Sequence, residues 1–481
     1  MAPSKKCLHR ELTVEVSPHA DEAGFEQLDW RRRFAATIQS GRAPPKDRAA
    51  SKPSGNGAPQ GQDASTLASL FPAPLVLPGD ELALDPTSPP QSLASWLRGK
   101  HRNKFTSDRK ALYVADIPAV ARDVQMVSQW AQPEFPGNDE ATKGKADVPD
   151  HIKPPNPDDI REYLGAFYHG LPVKKFTQSL EFTAWRSGEK RQTKKDSASS
   201  FIGLRCGSSC TRIRTRPCPD GTFAQQLNLN DILDATIAAL PDDAYALLFL
   251  VDHDLYEDED DDFCCGRAYG GSRVAVVSSA RYNPTLLLCS VHDSIDLDHT
   301  WPASHCQSYV ARLCGSAAPG GTAAWGKKRR LDEHEDKSAS SPLHDAVRAG
   351  SSVAARNLDP GSSLAGLWLC LLARTASHEL GHCLGIAHCA YYACVMQSTA
   401  GMAEDCRQPP YLCLVCLKKL THAAREASAS PAGFDETGYV VETYQALAGF
   451  CEKWKQAGMF AGYKAWLDSM TGRLRDGSFK L

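Results

Sequence analysis

The 481-residue chain lacks long hydrophobic runs, a signal-peptide core and a large excess of either charge. Its longest apolar run covers residues 364–373, which is too short to span a bilayer and is typical of a buried helix. The first residues, MAPSKKCLHRELTVEV, contain no apolar segment of signal-peptide length. A formal net charge of -3 without a long Lys/Arg run predicts no general affinity for nucleic acid or acidic membranes. We therefore expect an intracellular protein, cytoplasmic or nuclear, whose 17 cysteines serve as metal ligands and reduced thiols.

The most informative stretch of the chain reads HELGHCLGIAH. His378 and His382 are four residues apart, and on a helix this spacing places both imidazoles on one face, where they can bind one ion. Glu379 can polarise a metal-bound water without being a ligand itself. Gly385 can end the helix and let the chain turn back, so that His388 supplies a third ligand. Three protein ligands leave a fourth position open, which is typical of a catalytic zinc.

A histidine pair alone has a plainer interpretation, because HExxH also occurs by chance and helical histidines are often solvated or packed in a core. The added glycine and third histidine complete HExxHxxGxxH, the signature of metzincin peptidases. Cys389, Cys394 and Met396 follow, and a Cys-Leu-Val-Cys pair formed by Cys413 and Cys416 closes the set. Over these residues the chain closely resembles the archaemetzincin family.

The resemblance implies a fold, a cofactor and a set of site residues. The fold would be α+β, a metzincin-like zincin domain with a mixed twisted sheet over the active-site helix, an adjacent four-cysteine zinc subdomain and C-terminal helices. Two Zn2+ ions per chain are expected. The implied residues are His378, His382 and His388 for the catalytic zinc, Glu379 as general base, Met396 in a methionine turn, and Cys389, Cys394, Cys413 and Cys416 for the structural zinc.

The four cysteines also support a metal site by their chemistry, since four thiolates can hold zinc as a tetrahedron and fold a loop around it. Because Cys389 adjoins His388, a structural zinc should brace the third catalytic ligand. A disulfide pairing of the same cysteines is the alternative, and Met396 could be an ordinary core methionine. Ser398 stands two residues past Met396, where some metzincins place a tyrosine ligand, so we expect no tyrosine ligand.

Composition divides the chain into three parts. Residues 1–98 mix charged stretches with Pro, Gly, Ser and Ala, and we predict a disordered N-terminal extension. Residues 106–420 are the expected metallopeptidase domain, interrupted by a low-complexity insertion at 315–342, and residues 421–481 show helical periodicity. By the family resemblance, a strand predicted at 273–282 is the sheet edge that pairs with extended substrate.

The predicted function is zinc-dependent hydrolysis of peptide bonds. Glu379 would take a proton from the zinc-bound water and return it to the leaving amine. The partner is then a peptide or protein substrate, with no nucleic acid and no membrane, and the family resemblance suggests an aminopeptidase or short-peptide preference.

Two alternatives stay open. A non-catalytic, zinc-stabilised interaction protein would have no need of the Glu379 carboxylate. A DNA-repair-associated HExxH protease should carry a basic surface that the composition does not supply.

Overall fold

The computed structural model describes residues 7, 9, 11–42, 64–100, 102–134, 152–185, 201–289, 295–315, 341–356 and 360–481. Most of the predicted low-complexity insertion therefore lies outside the described residues. The helices are α1 (His19–Ala23), α2 (Trp30–Ala35), α3 (Ala64–Leu70), α4 (Glu81–Leu84), α5 (Leu93–Leu97), α6 (Val127–Trp130), α7 (Pro157–Phe167), α8 (Leu229–Ala239), α9 (Pro284–Cys289), α10 (Gln307–Leu313), α11 (Pro342–Arg356), α12 (Pro360–Cys383), α13 (Met402–Asp405), α14 (Leu414–Ala427), α15 (Glu436–Lys453) and α16 (Gly458–Arg475). The strands are β1 (Ala111–Ala115), β2 (Ala119–Val120), β3 (Val173–Lys175), β4 (Leu180–Thr183), β5 (Phe201–Cys206), β6 (Ser209–Arg216), β7 (Gln226–Asn228), β8 (Ala244–Val251), β9 (Leu255–Tyr256), β10 (Gly266–Tyr269) and β11 (Val274–Ser278).

A five-stranded sheet of order β10-β11-β8-β1-β3 lies at the centre of the mixed α/β architecture. Its strands are parallel except β10, which pairs antiparallel with β11 at one edge. Every residue of β8, AYALLFLV, is buried. Alternate side chains enter two different cores, since Ala246, Leu248 and Leu250 face the larger one and Leu247, Phe249 and Val251 the smaller one. The uninterrupted apolar run therefore reflects a strand covered on both faces.

A second, six-stranded sheet of order β2-β4-β5-β6-β7-β9 covers the smaller core together with α8. Apolar residues of its inner face, among them Phe182, Ile202 and Ile213, are essentially inaccessible to solvent. The helix α8 begins at an Asn228 cap, whose side chain accepts the Asp231 backbone N–H, and it adds Leu233 to the same core. This layer holds one face of the central sheet fixed while the other face receives α12.

The long helix α12 packs against β10, β11, α7 and α16. Its middle, from Trp368 to Ser377, is buried at every position. The Trp368 indole N–H donates to the Ser279 carbonyl at 2.8 Å, and Arg374 forms a buried ion pair with Asp405. Burial at every position explains why the helix is apolar on nearly all sides, and the two polar contacts fix the helix that carries His378 and His382. None of the described helices combines the length and apolar character needed to cross a membrane.

The C-terminal segment forms α15 and α16, which pack against each other. The first contacts α14, the helix that follows Cys413 and contains Cys416, and the second contacts α11 and α12. The periodicity of the sequence predicted helical structure for this segment.

The expected disorder over 1–98 is wrong for the part of this region that the structure describes. Phe71 and Trp96 are among the most buried large side chains of the protein, and residues 73–77 are buried throughout. Short apolar segments are separated by Pro and Gly, so each one looks too weak to fold by itself. They are ordered by packing against distant parts of the chain, which local composition does not reveal.

The predicted edge strand is also misplaced. β11 lies inside the central sheet, between β8 and β10, and the edge is β10. The sequence of β10, GRAY, is short and half exposed, so it carries no strand-like alternation of apolar residues. An edge strand needs only one partner and one covered face, which explains its weak sequence signal.

Candidate metal centre and active site

The helix α12 ends at Cys383, and the chain turns sharply just after it. Gly385 has a φ of 75°, which favours glycine, and its N–H donates to the His382 carbonyl at 2.9 Å. The Ile386 N–H reaches back to the Gly381 carbonyl at 3.1 Å. This pair of hydrogen bonds is a Schellman motif, which closes the helix and redirects the chain. The sequence predicted such a turn at this glycine.

The turn brings the three predicted histidine ligands together. Ring nitrogens of His378, His382 and His388 all lie within 4.8 Å of one another. The Nε2 atoms of His378 and His382 are 2.9 Å apart. The ring centroid of His388 lies 5.4 Å from the ring centroid of His378 and 4.9 Å from that of His382. Three imidazoles from one helix and the loop behind it thus converge on a single point.

Backbone carbonyls determine which ring nitrogens are free. The Nδ1–H of His378 donates to the Val395 carbonyl at 2.7 Å, and that of His382 donates to the Ile386 carbonyl at 2.7 Å. Since a carbonyl can only accept, both rings carry their proton on Nδ1 and direct an Nε2 lone pair at each other. Burial lowers the pKa of His378 well below its usual value and that of His382 to about 4, which keeps both rings neutral. Neutral, oriented imidazoles fit the first shell of a zinc ion.

Glu379 lies in the same site and is only 7% exposed. Burial raises the pKa of its carboxyl to about 8. Its Cγ lies under β10, 3.4 Å from where a side chain on Gly266 would begin. The Glu379 carboxyl thus lies in the narrow space between α12 and the edge strand β10.

A cleft of about 870 Å³ runs between β10 and the end of α12. It is lined by residues of the edge strand, by the three histidines and Glu379, and by residues 397–402. The acidic residues Asp260, Asp261 and Asp262 also line it. The cleft is large enough for an extended peptide segment, and an unpaired strand edge can add such a segment by backbone hydrogen bonds.

Met396 lies directly beneath the ligand-bearing helix and is fully buried. A Cβ built on Gly381 would be 2.6 Å from the Met396 sulfur, so any larger residue at this point of the helix would displace the methionine side chain. The Met396 carbonyl accepts the Cys389 N–H at 2.8 Å. The methionine therefore joins the helix to the segment that follows His388.

The four predicted thiol ligands also form one group. The Sγ atoms of Cys389, Cys394, Cys413 and Cys416 lie within 4.8 Å of one another, and all four residues are buried. The Cys389 and Cys413 sulfurs are 3.6 Å apart, which is far longer than the roughly 2.05 Å of a disulfide bond. All four are free thiols. Hydrogen bonds from the other three thiols lower the pKa of Cys389. This group has the composition and spacing of a structural zinc site.

Sequence reasoning missed the residues that hold the His388 loop from outside. The Gln91 side chain donates to the Gly385 carbonyl at 3.0 Å and accepts the Ala387 N–H at 3.1 Å. The Trp96 indole N–H donates to the Leu384 carbonyl at 3.0 Å. These residues come from the region expected to be disordered. The apolar SLASWL segment around Trp96 was the available signal.

Comparisons with known proteins indicate similarity to one peptidase family. The model of Peptidase family M54 matches residues 365–422, which include all the predicted metal ligands. Archaemetzincin-2 of Rattus norvegicus is 39% identical over 74 residues, covering 15% of this chain and 17% of that protein. Archaemetzincin-2 of Macaca fascicularis is 25% identical over 301 residues, covering 61% of this chain and 64% of that protein.

Among solved structures, the archaemetzincin of Methanopyrus kandleri has 16% sequence identity and a TM-score of 0.30, and the match covers 66% of this chain and 97% of that one. The chain spans less than two thirds of the length of the two Archaemetzincin-2 proteins named above.

Proposed function

We propose that the chain is an archaemetzincin of peptidase family M54 and a zinc-dependent metallopeptidase, because residues 365–422 match the model of that family and its relatives include Archaemetzincin-2. The observation that carries the proposal is the convergence of three imidazoles beside a buried carboxyl in a peptide-sized cleft. Two of these imidazoles are oriented by backbone carbonyls, as metal-binding histidines usually are.

In this proposal His378, His382 and His388 hold the catalytic zinc. Zinc bound there would lower the pKa of a coordinated water toward neutrality and polarise the scissile carbonyl. Glu379 accepts the proton of the attacking water and passes it to the leaving amine. Burial raises the pKa of the Glu379 carboxyl, which makes the ionised group a stronger proton acceptor than an exposed carboxylate.

The proposed substrate is a short or extended peptide that pairs with the backbone of β10. This would give the metzincin-like arrangement, with a sheet edge above the zinc-binding helix. The proposed preference for amino-terminal cleavage or short peptides rests on the family, and Asp260, Asp261 and Asp262 support it, because carboxylates lining the cleft attract a protonated α-amino group. The metallopeptidase unit in this proposal keeps the bounds 106–420, with 421–481 as a helical segment.

The second proposed zinc is structural and is held by the four buried thiols. Four protein ligands would fill its coordination shell and leave no position for a water. Because Cys389 follows His388 directly, closing this thiolate cage fixes the loop that carries the third catalytic ligand. Two zinc ions per chain follow from these two sites.

Two substitutions separate the proposed roles. Glu379→Gln should retain the zinc content of the wild type and lose about 10²–10⁴-fold in peptide hydrolysis, because the proton acceptor is removed without touching a ligand. His382→Ala should lose both the catalytic zinc and the hydrolysis. The measurements are elemental analysis of zinc per chain and cleavage of a panel of quenched peptides. Glu442→Gln, which changes an exposed glutamate on α15, is the matched control.

Wild-type activity in the Glu379→Gln variant would contradict the mechanism. Zinc-loaded wild type that cleaves no peptide of the panel would favour the alternative of a zinc-stabilised interaction protein.

A further inference from the structure

A second cluster of thiols and imidazoles lies apart from the cleft, where the beginning of the chain runs along α10. The backbone there is paired, since the Gln307 N–H donates to the Glu11 carbonyl at 2.9 Å and the Thr13 N–H to the His305 carbonyl at 2.8 Å. This pairing places Cys7 beside residues that do not belong to the site described above.

The side chains in this cluster are arranged like metal ligands. Ligand atoms of Cys7, His9 and His299 all lie within 4.8 Å of one another. The Cys7 sulfur is also 3.1 Å from the sulfur of Cys306. The rings of His9 and His299 meet at 85°, so they do not stack on each other. Two thiols and two imidazoles are thus gathered from positions some three hundred residues apart in the chain.

His299 is oriented by its neighbours. Its Nδ1 donates to the Asp296 carboxylate at 2.9 Å, and its ring stacks on Tyr309 with centroids 4.3 Å apart. Arg312 pairs with the same carboxylate at 2.7 Å and fixes its position. His299 is 5% exposed. Its buried Nε2 has no well-aligned hydrogen-bond partner, although the thiols of Cys7 and Cys306 lie beside it. A buried, oriented ring nitrogen that two thiols approach is placed to bind a metal ion together with them.

We propose that Cys7, His9, His299 and Cys306 hold a further zinc ion in a Cys2His2 site. Two thiolates neutralise the charge of the ion, and the Asp296 carboxylate supports the His299 imidazole as carboxylates commonly do behind zinc-binding histidines. The 3.1 Å between the two sulfurs is well above the roughly 2.05 Å of a disulfide. It is closer to the roughly 3.8 Å that two Zn–S bonds of about 2.3 Å span at a tetrahedral angle.

The proposed site is structural. Four protein ligands leave no open position, so the ion has no place for substrate or a reactive water. It fastens the segment that carries Cys7 and His9 to residues 299–306, and closing such a long loop removes much freedom from the unfolded chain. The proposal is independent of the catalytic and four-thiol sites, since it shares no residue with either of them.

The test is the zinc content of the full-length protein. A double variant, Cys7→Ser with His9→Ala, should contain one zinc per chain fewer than the wild type by elemental analysis. The matched control, Cys314→Ser with His169→Ala, changes a neighbouring thiol and a remote histidine outside the cluster and should keep the wild-type content. Because the result is a difference between variants, it does not depend on whether the other sites are filled.

A second measurement avoids any effect of the substitutions on folding. Anomalous scattering at the zinc edge from crystals of the unaltered protein should place an ion between His299 and Cys306. Equal zinc content in wild type and double variant, or a Cys7–Cys306 disulfide found by mass spectrometry of the unreduced protein, would overturn the proposal.

Discussion

Gln91→Ala should weaken zinc binding at the catalytic site although Gln91 contacts no metal ligand directly. Its side chain donates to the Gly385 carbonyl and accepts the Ala387 N–H, and so spans the turn between the helix end and His388. It also accepts the Lys419 ammonium at 2.9 Å, which ties the turn to α14. The alanine variant loses all three bonds and leaves the His388 loop less well positioned.

The size of the effect follows from the two bonds to the loop. A hydrogen bond contributes about 0.5–1.5 kcal/mol net, so two of them contribute about 1–3 kcal/mol. Gln91 is only half-buried, so water can replace part of the lost hydrogen bonding in the variant. We therefore expect a loss of about 1–2 kcal/mol. That free energy corresponds to roughly a 5–30-fold loss in zinc affinity. Substitution of residues that orient metal ligands typically lowers metal affinity by about 10–100-fold, so the expected loss overlaps the lower part of that range.

The assay is competition for zinc between the protein and a chromophoric chelator, with wild type and variant measured side by side. Gln125→Ala removes an exposed glutamine far from the turn in sequence and serves as the control, with no change expected. The four-thiol site should keep its zinc in both variants. A Gln91→Ala protein that binds the catalytic zinc as tightly as the wild type would refute the idea that this residue positions the His388 loop.

Two further predictions concern stability. Gly381→Ala should lower the free energy of unfolding by about 1–3 kcal/mol, since the new methyl group would overlap the buried Met396 sulfur. Gly449→Ala, on the exposed face of α15, should instead raise it by about 0.5–1 kcal/mol. Urea unfolding measures both free energies, and equal effects of the two substitutions would contradict the packing argument. Burial and the nearby Asp80 raise the pKa of Glu404 to about 8, so the wild type should lose stability as pH rises from about 4.5 to 8, and Glu404→Gln should remove part of that loss. Parallel stability profiles of wild type and variant across that range would refute the second prediction.

Local patterns in the sequence were enough to predict the elements that bear the ligands. The spacing of His378 and His382, followed by Gly385, defines a helix and its end, because both depend on residues within two turns of each other. The apolar run of β8 likewise identifies a buried strand, since both of its faces are covered. These features needed no knowledge of distant parts of the chain.

Features that depend on distant contacts could not be predicted. Gln91 reaches the turn at Gly385 from almost three hundred residues away, and nothing in its neighbouring sequence indicates that contact. The edge strand β10 has few apolar residues because one side of it faces the cleft. Cys7 likewise lies about three hundred residues from His299 and Cys306 in the chain, and the fold alone brings these side chains together.

The most direct test of the central claim is peptide hydrolysis by the purified chain before and after zinc removal. We predict that cleavage of quenched peptides stops when a chelator removes the ion, returns when zinc is restored, and does not return in the His382→Ala variant. Hydrolysis that persists undiminished in protein shown to be free of zinc would contradict the claim that His378, His382 and His388 hold the catalytic metal.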